Sequence, residues 1–435
     1  ISQLYEIRGL RIGDSAEIDI RRRHLAAWEI PAEWFGGPDS IVQRLVEIRV
    51  PDALQMAADV SPGLLGWPAP QASRSTENGE AVLRFEARNL PGLGDLPVDA
   101  GPPADLVPLL RVAAHRMARG SSDTLRVRQS WADFTCWYER RLQPQLQLDA
   151  SLRSWVARQK AEARDEHDLI GRLYGYVQRQ IHYVAVVIGE GGWLPHAVVR
   201  THELRYGDCK DMSALLVALL REAGLPAHLA LVNARGAGRV NASFPYSMQF
   251  NHCIAYVAGT SGVYWLDATD ATGRSGAISS FIDANPALIL AGEACRFETP
   301  APRDGAGPAV RERFTVTLPA GDRAGVLFRI EWCGAIGGDW RARLWSGDES
   351  ARAGHVAAWV GRSFPEVEAV RIESLRNAGG SVVVEGIGTV PAPWRPSSGG
   401  YVLPRGGADL PLPVVTATRR LPYRAPLVAT LETEI

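Results

Sequence analysis

Apolar residues recur along this chain in two rhythms. Through residues 1–125 the period is two: Ala16-Glu17-Ile18-Asp19-Ile20, Val42 to Val50, and Ala81-Val82-Leu83-Arg84-Phe85-Glu86-Ala87 alternate, which predicts half-buried strands. Ser61-Pro62-Gly63 and Asn89-Leu90-Pro91-Gly92 supply turn chemistry between them, and Gly92 to Pro108 reads as loop. From Ser130 the period becomes helical. Ser130 is a candidate cap, with Trp131, Phe134 and Tyr138 on one face; Leu152 to Arg164 follows, then Asp168 to Gln180 with Leu169, Leu173, Tyr176 and Val177. The strongest stripe is Met212, Leu215, Leu216, Leu219, Leu220 and Ala223, closed by Gly224 and Pro226.

Alternation then returns. Ala227 to Asn233, Phe250 to Val257 and Val263 to Thr269 read as strands, the last two joined by a tight turn from Gly259 to Gly262. Helices first and strands afterwards is an α+β order, not the alternation of a doubly wound sheet. Thr299 to Ala309 is a linker by its prolines and glycines. Beyond it, Arg313 to Leu318 and Gly325 to Trp332 predict paired strands, Asp339 to Val360 a covering helix interrupted near Gly347, and Val367 to Leu375 and Ser381 to Glu385 further strands before a break at Pro391 to Gly400. The expected organisation is an α+β core at 126–298, with a sandwich-like β domain at 1–125 and a β-rich domain with one helix at 299–435.

Composition narrows the classes. With 46% hydrophobic and 22% charged residues the chain is ordinary for a globular protein, and a formal net charge of −1 offers no basic excess for a nucleic-acid partner. No stretch reaches the roughly 20 apolar residues of a membrane span. Five cysteines, Cys136, Cys209, Cys253, Cys295 and Cys333, are odd in number and widely spaced, so they form no disulfide framework. No C-x-x-C or H-x-x-x-H spacing indicates zinc, and Gly189-Glu190-Gly191-Gly192 lacks the helix and lysine of a phosphate loop. No cofactor is called for. The chain begins at Ile1 with strand-like residues, as a processed or trimmed chain would.

The candidate chemistry begins at Tyr206-Gly207-Asp208-Cys209-Lys210-Asp211, which opens the apolar helix. A cysteine on a first helical turn meets unpaired N–H groups and the positive end of the helix dipole, so Cys209 is a candidate nucleophile. Downstream, Gln249-Phe250-Asn251-His252 enters one strand and Trp265-Leu266-Asp267-Ala268-Thr269 leaves the next. The tight hairpin brings Asp267 close to His252, where a carboxylate fixes an imidazole's tautomer. Asp208 reads as the helix cap, and Lys210 as an anion holder or a solvated side chain.

These motifs resemble the transglutaminase-like superfamily, and more narrowly its bacterial branch in which the core follows an all-β amino-terminal domain of unknown function (DUF3857 type). The likeness extends upstream through Tyr176-Val177-Gln178, Ile181-His182-Tyr183-Val184 and Gly189 to Pro195, spanning roughly residues 165 to 290. It implies a papain-like Cys209, His252, Asp267 site working through a thioester on a carboxamide or peptide bond, with a protein or peptide substrate and an amine or water as acceptor. It also asks for a second oxyanion donor beside the Cys209 N–H, for which Tyr183, Trp193 and Gln178 are candidates. Relatives of this kind carry export signals, so a periplasmic or cell-surface location is expected, with a cytoplasmic one as the alternative. Folds of this type also serve as inactive scaffolds, so a protein-binding or cell-envelope assembly module is the rival reading.

Overall fold

The structure is a computed structural model, and it describes residues 30–434 apart from 53, 95, 97–101, 118–129, 186–191, 235–237, 272, 279–281, 283–284, 302–308, 318–322, 365, 379–380, 392–394, 398–399 and 403–429. The strand expected over Ala16 to Ile20 lies outside the described residues. The first described region holds β1 (Glu33–Trp34), β2 (Ile41–Pro51), β3 (Leu54–Ser61), β4 (Gln71–Glu77), β5 (Glu80–Leu90), the short α1 (Pro103–Leu106) and β6 (Leu109–Met117). They form two antiparallel three-stranded sheets, β1-β6-β3 and β2-β5-β4. Period-two burial turns Ala81, Phe85 and Ala87 of one sheet against Leu54, Met56, Leu110 and Val112 of the other, closing one small core between them.

The middle of the chain holds α2 (Trp131–Leu142), α3 (Ala150–Glu162), α4 (Glu166–Gln180), β7 (His182–Tyr183), α5 (Val198–Leu204), β8 (Tyr206–Gly207), α6 (Cys209–Glu222), β9 (Ala227–Val232), β10 (His252–Gly259), β11 (Gly262–Leu266), β12 (Ala287–Ile289) and β13 (Arg296–Glu298). Ser130 caps α2 in a reciprocal capping box with Asp133. Helix α6 is buried all round from Lys210 to Leu220, which makes it the central rod of the core. Past it, Gly224 takes the left-handed conformation (φ +89°) that ends a helix most cheaply. Strands β11-β10-β9-β12-β13 form one antiparallel sheet. Its Leu229, Cys253, Ala255 and Val257 pack into the helical core, while Ala230, Val232, Ile254, Tyr256 and Trp265 close a smaller core on the other face.

The last region contains β14 (Ala309–Thr317), β15 (Arg323–Cys333), α7 (Gly334–Ser346), α8 (Glu349–Val360), β16 (Glu368–Ala378), β17 (Ser381–Pro391), the hairpin β18 (Arg395–Ser397) and β19 (Gly400–Val402), and β20 (Thr430–Glu434). The main sheet runs β16-β17-β15-β14-β20, with β20 parallel to β14. The single interrupted helix expected here is two helices. Asp348, directly after Gly347, accepts the Ala351 N–H at 2.8 Å and so starts α8 as a new helix. Trp332 stacks on Trp340 at 4.2 Å, Trp359 meets both edge-on, and the Trp359 indole donates to the buried carboxylate of Glu312. Among the described residues no helix is long and apolar enough to cross a membrane.

Candidate active site

The site is built where α6 begins. Asp208 is extended (φ −91°, ψ −170°) and its Oδ1 accepts the N–H groups of Lys210 (3.1 Å) and Asp211 (3.2 Å), while Asp211 takes the Asp208 N–H in return at 3.2 Å. The box consumes two of the orphan donors of the first turn. Among the described residues none accepts from the Cys209 N–H, so it remains available beside its own half-buried thiol. Gly207 is required by this packing, because a Cβ there would stand 2.6 Å from the Asp211 Cβ. The short parallel pair β7–β8 lays Tyr183 alongside Gly207, just upstream of the cysteine.

Charged groups are buried around the sulfur. Lys210, for which solvation was one reading, is 7% exposed with its ammonium paired to Asp208. The Asp211 carboxylate accepts the His196 N–H at 2.8 Å and lies 3.2 Å from His196 Nδ1, tying the segment before α5 to the start of α6. Pairing matters here, since an unpaired buried ammonium is costly.

His252 enters β10 opposite Val232 of β9, and Asp267 directly follows β11. Ala255 pairs with Leu266, so His252 and Asp267 are diagonal neighbours on one face of the hairpin. His252 Nε2 and Asp267 Oδ2 are 2.9 Å apart, which leaves Nδ1 as the ring nitrogen facing Cys209. Burial opposes the imidazolium, but hydrogen bonds with Asp267 and Cys209 outweigh it and raise the His252 pKa to about 10. Burial likewise opposes the Asp267 carboxylate, yet His252 and the Thr269 hydroxyl and N–H hold its pKa below the usual carboxylate range. Thr269 contributes bonds of 2.7 and 3.0 Å to Oδ1, so each oxygen of Asp267 is engaged.

Helix α4 supports this hairpin at both ends. Glu166 accepts N–H and hydroxyl bonds from Thr260 and Ser261 at the tip. Tyr174 donates to the Asp267 carbonyl at 2.8 Å, and Gln178 Nε2 donates to the carbonyls of Asp270 (2.6 Å) and Gly273 (3.0 Å). Gln178 therefore spends its amide hydrogens on the turn after Asp267 and has none for an oxyanion. Trp193 is half-buried, and its carbonyl accepts from the buried Tyr138 hydroxyl at 2.8 Å. Tyr183 is half-exposed; burial and then the charges of Cys209, Asp208 and Asp267 raise its pKa, so its phenol lies within electrostatic reach of the sulfur. Glu166, Tyr174 and His196 were not singled out by the sequence. The first two carry only a helix-start acid and a core aromatic as local signals, and their partners lie 94 and 93 residues away.

A thiol at a buried helix start, with imidazole and carboxylate on an adjoining hairpin, defines a fold of the cysteine peptidase and acyltransferase type. Residues 153–268, which include Cys209, His252 and Asp267, match the family model of the transglutaminase-like superfamily, so the chain carries a transglutaminase-like core. Among solved structures, a "putative protease" from Parabacteroides distasonis is similar over 82% of this chain and 68% of that one, at 12% identity and a TM-score of 0.50. A "putative cysteine protease" from Cytophaga hutchinsonii covers 62% of this chain and 80% of its own, at 11% identity and a TM-score of 0.25. At 12% identity the first of these speaks to fold alone. No curated protein matches the sequence.

Proposed function

We propose that the chain is a cysteine-dependent acyl-transfer enzyme acting on a carboxamide or peptide bond of a protein or peptide. The observation that carries this reading is the 2.9 Å contact between His252 Nε2 and Asp267 Oδ2 on the hairpin beside the Cys209 helix start, with Asp267 and Cys209 raising the imidazole's pKa to about 10. The Cys209 thiolate adds to the carbonyl carbon, and the oxyanion that forms is met by the Cys209 N–H and, in our assignment, by the Tyr183 hydroxyl. Collapse breaks the C–N bond as His252 gives its proton to the leaving amine, and a thioester remains. Water or a second amine then attacks, His252 takes its proton, and the thiolate leaves. Asp267 orients the ring and stabilises its charge throughout. A periplasmic or cell-surface setting is part of the same reading, checked by fractionating native cells.

Alkylation of Cys209 by iodoacetamide against pH, located by peptide mass spectrometry, tests the pair. Fast modification below about pH 7 that slows in His252→Ala supports it. A rate that rises only near the ordinary thiol pKa of about 8.5, and is indifferent to His252, overturns it and favours the scaffold reading. Ammonia release from a glutamine peptide, with and without a primary amine, then separates transfer from hydrolysis.

A further inference from the structure

Gln249 opens the motif that ends in His252, yet the proposed reaction does not use it. It is buried, and both ends of its amide are spent on one residue: Oε1 accepts the Asn241 N–H at 2.7 Å and Nε2 donates to the Asn241 carbonyl at 3.1 Å. Asn241 in turn donates from Nδ2 to Asp59 Oδ2 at 3.0 Å, across 182 residues of sequence. Asp59 on β3 stands opposite Arg111 on β6, whose Nη1 lies 3.2 Å from the same carboxylate oxygen and also reaches the Ser61 hydroxyl. Arg111 is 5% exposed, and its Nη2 donates to the Arg239 carbonyl at 3.4 Å. Arg239 N–H adds a bond to Asp105 of α1 at 2.7 Å, and the Tyr246 hydroxyl one to the Ile30 carbonyl at 2.8 Å.

The connection between β9 and β10 is thus held at its outer end by the amino-terminal sheets and handed inward through a closed pair of amide bonds. Two residues past Gln249, Asn251 is fixed by Ala234 N–H (2.7 Å) and the Val232 carbonyl (3.2 Å), and His252 is next. We propose that Arg111, Asp59, Asn241 and Gln249 form a positioning relay by which the amino-terminal β region sets the placement of His252 against Cys209. This rests on the reading of Cys209 and His252 as a working pair. It assigns the amino-terminal region a part in the site's geometry.

Asn241→Ala cuts the relay on the core side while leaving Arg111 and Asp59 paired, so it avoids stranding a buried guanidinium. In the full chain, Cys209 alkylation at pH 6 is expected to slow about tenfold, a size ordinary for coupling through such networks. As the pH rises past about 10 and His252 loses its proton, the rates converge. Arg111→Ala behaves alike and Arg111→Lys partly restores the pH 6 rate, whereas Arg84→Ala, which breaks an ion-pair cluster on β2, β4 and β5, leaves the profile in place. If the contacts are glue alone, Asn241→Ala lowers the melting temperature and leaves the pH profile unchanged, which overturns the relay. Amide hydrogen exchange over 249–257 gives a readout independent of the sulfur: faster exchange in Asn241→Ala is expected, and unchanged exchange overturns the relay. A wild type without fast alkylation at pH 6 defeats the proposed function instead, with the relay still judged by exchange.

Discussion

At the scale of single residues, His252 makes a prediction whose sign is fixed. It binds its proton more tightly folded, at about pH 10, than at its ordinary value of 6.5, so its contribution to stability is complete below pH 6.5 and is lost as the pH rises to 10. Denaturant unfolding of wild type and His252→Ala at a series of pH values should show the wild type losing stability over that window and the variant much less. Asp208 carries a second prediction. Asp208→Ala removes a cap, at about 1 kcal/mol, and takes from the buried Lys210 ammonium the carboxylate it is paired with, which adds to that cost. Urea titration should show a loss larger than the cap alone, with the excess recovered in Asp208→Ala/Lys210→Met. Cys209, His252 and Asp267 were nameable from sequence because each sits beside a local signal: a helix start, a strand entry, a strand exit. The burial of Lys210 and the engagement of Gln178 were not, since both depend on what surrounds a side chain rather than on its neighbours in the chain.

At the scale of elements, the parts read most cleanly are those whose beginnings and ends are local events. Helix α6 has its capping box and Gly224, and the β10–β11 hairpin closes with Gly259 opposite Gly262. Strand β4 went unread because Gln71–Glu77 offers no apolar alternation; it is a polar strand laid along β5 at the edge of its sheet. Helices α7 and α8 merged in the sequence because Trp340, Leu344, Val356 and Trp359 all face one core, and only Asp348 marks the restart. The clamp of α4 on the hairpin tip is testable at this level. Glu166→Ala leaves the exposed N–H groups of Thr260 and Ser261 to water in place of their carboxylate and should cost about 1 kcal/mol. Amide exchange at residues 260–264 should quicken while β9 keeps its protection; equal protection in the variant would show that the turn holds itself.

At the scale of the molecule, the two amino-terminal sheets, the helix-and-sheet middle and the tryptophan-rich last region each close their own apolar interior. Trp340→Ala should cost about 3–5 kcal/mol in the last of these, and denaturation followed by fluorescence should show that step moving while exchange in β10 stays slow. The change of period near residue 130 was visible in the sequence. The contacts that tie these regions were not: Asn241 finds Asp59, and the buried Arg341 of α7 feels the charge of Asp270, through pairings that leave no periodic trace. Helix α4 also bears on how this architecture can change. It holds the tip of the hairpin through Glu166 and the base through Tyr174 and Gln178, so the two elements are measured against each other like a rule against a ladder. Two residues added to each strand lengthen the hairpin by about 7 Å, a gap that only about four or five residues of helix, at 1.5 Å each, would span. Insertions in the hairpin and in α4 should therefore be inherited together, or not at all.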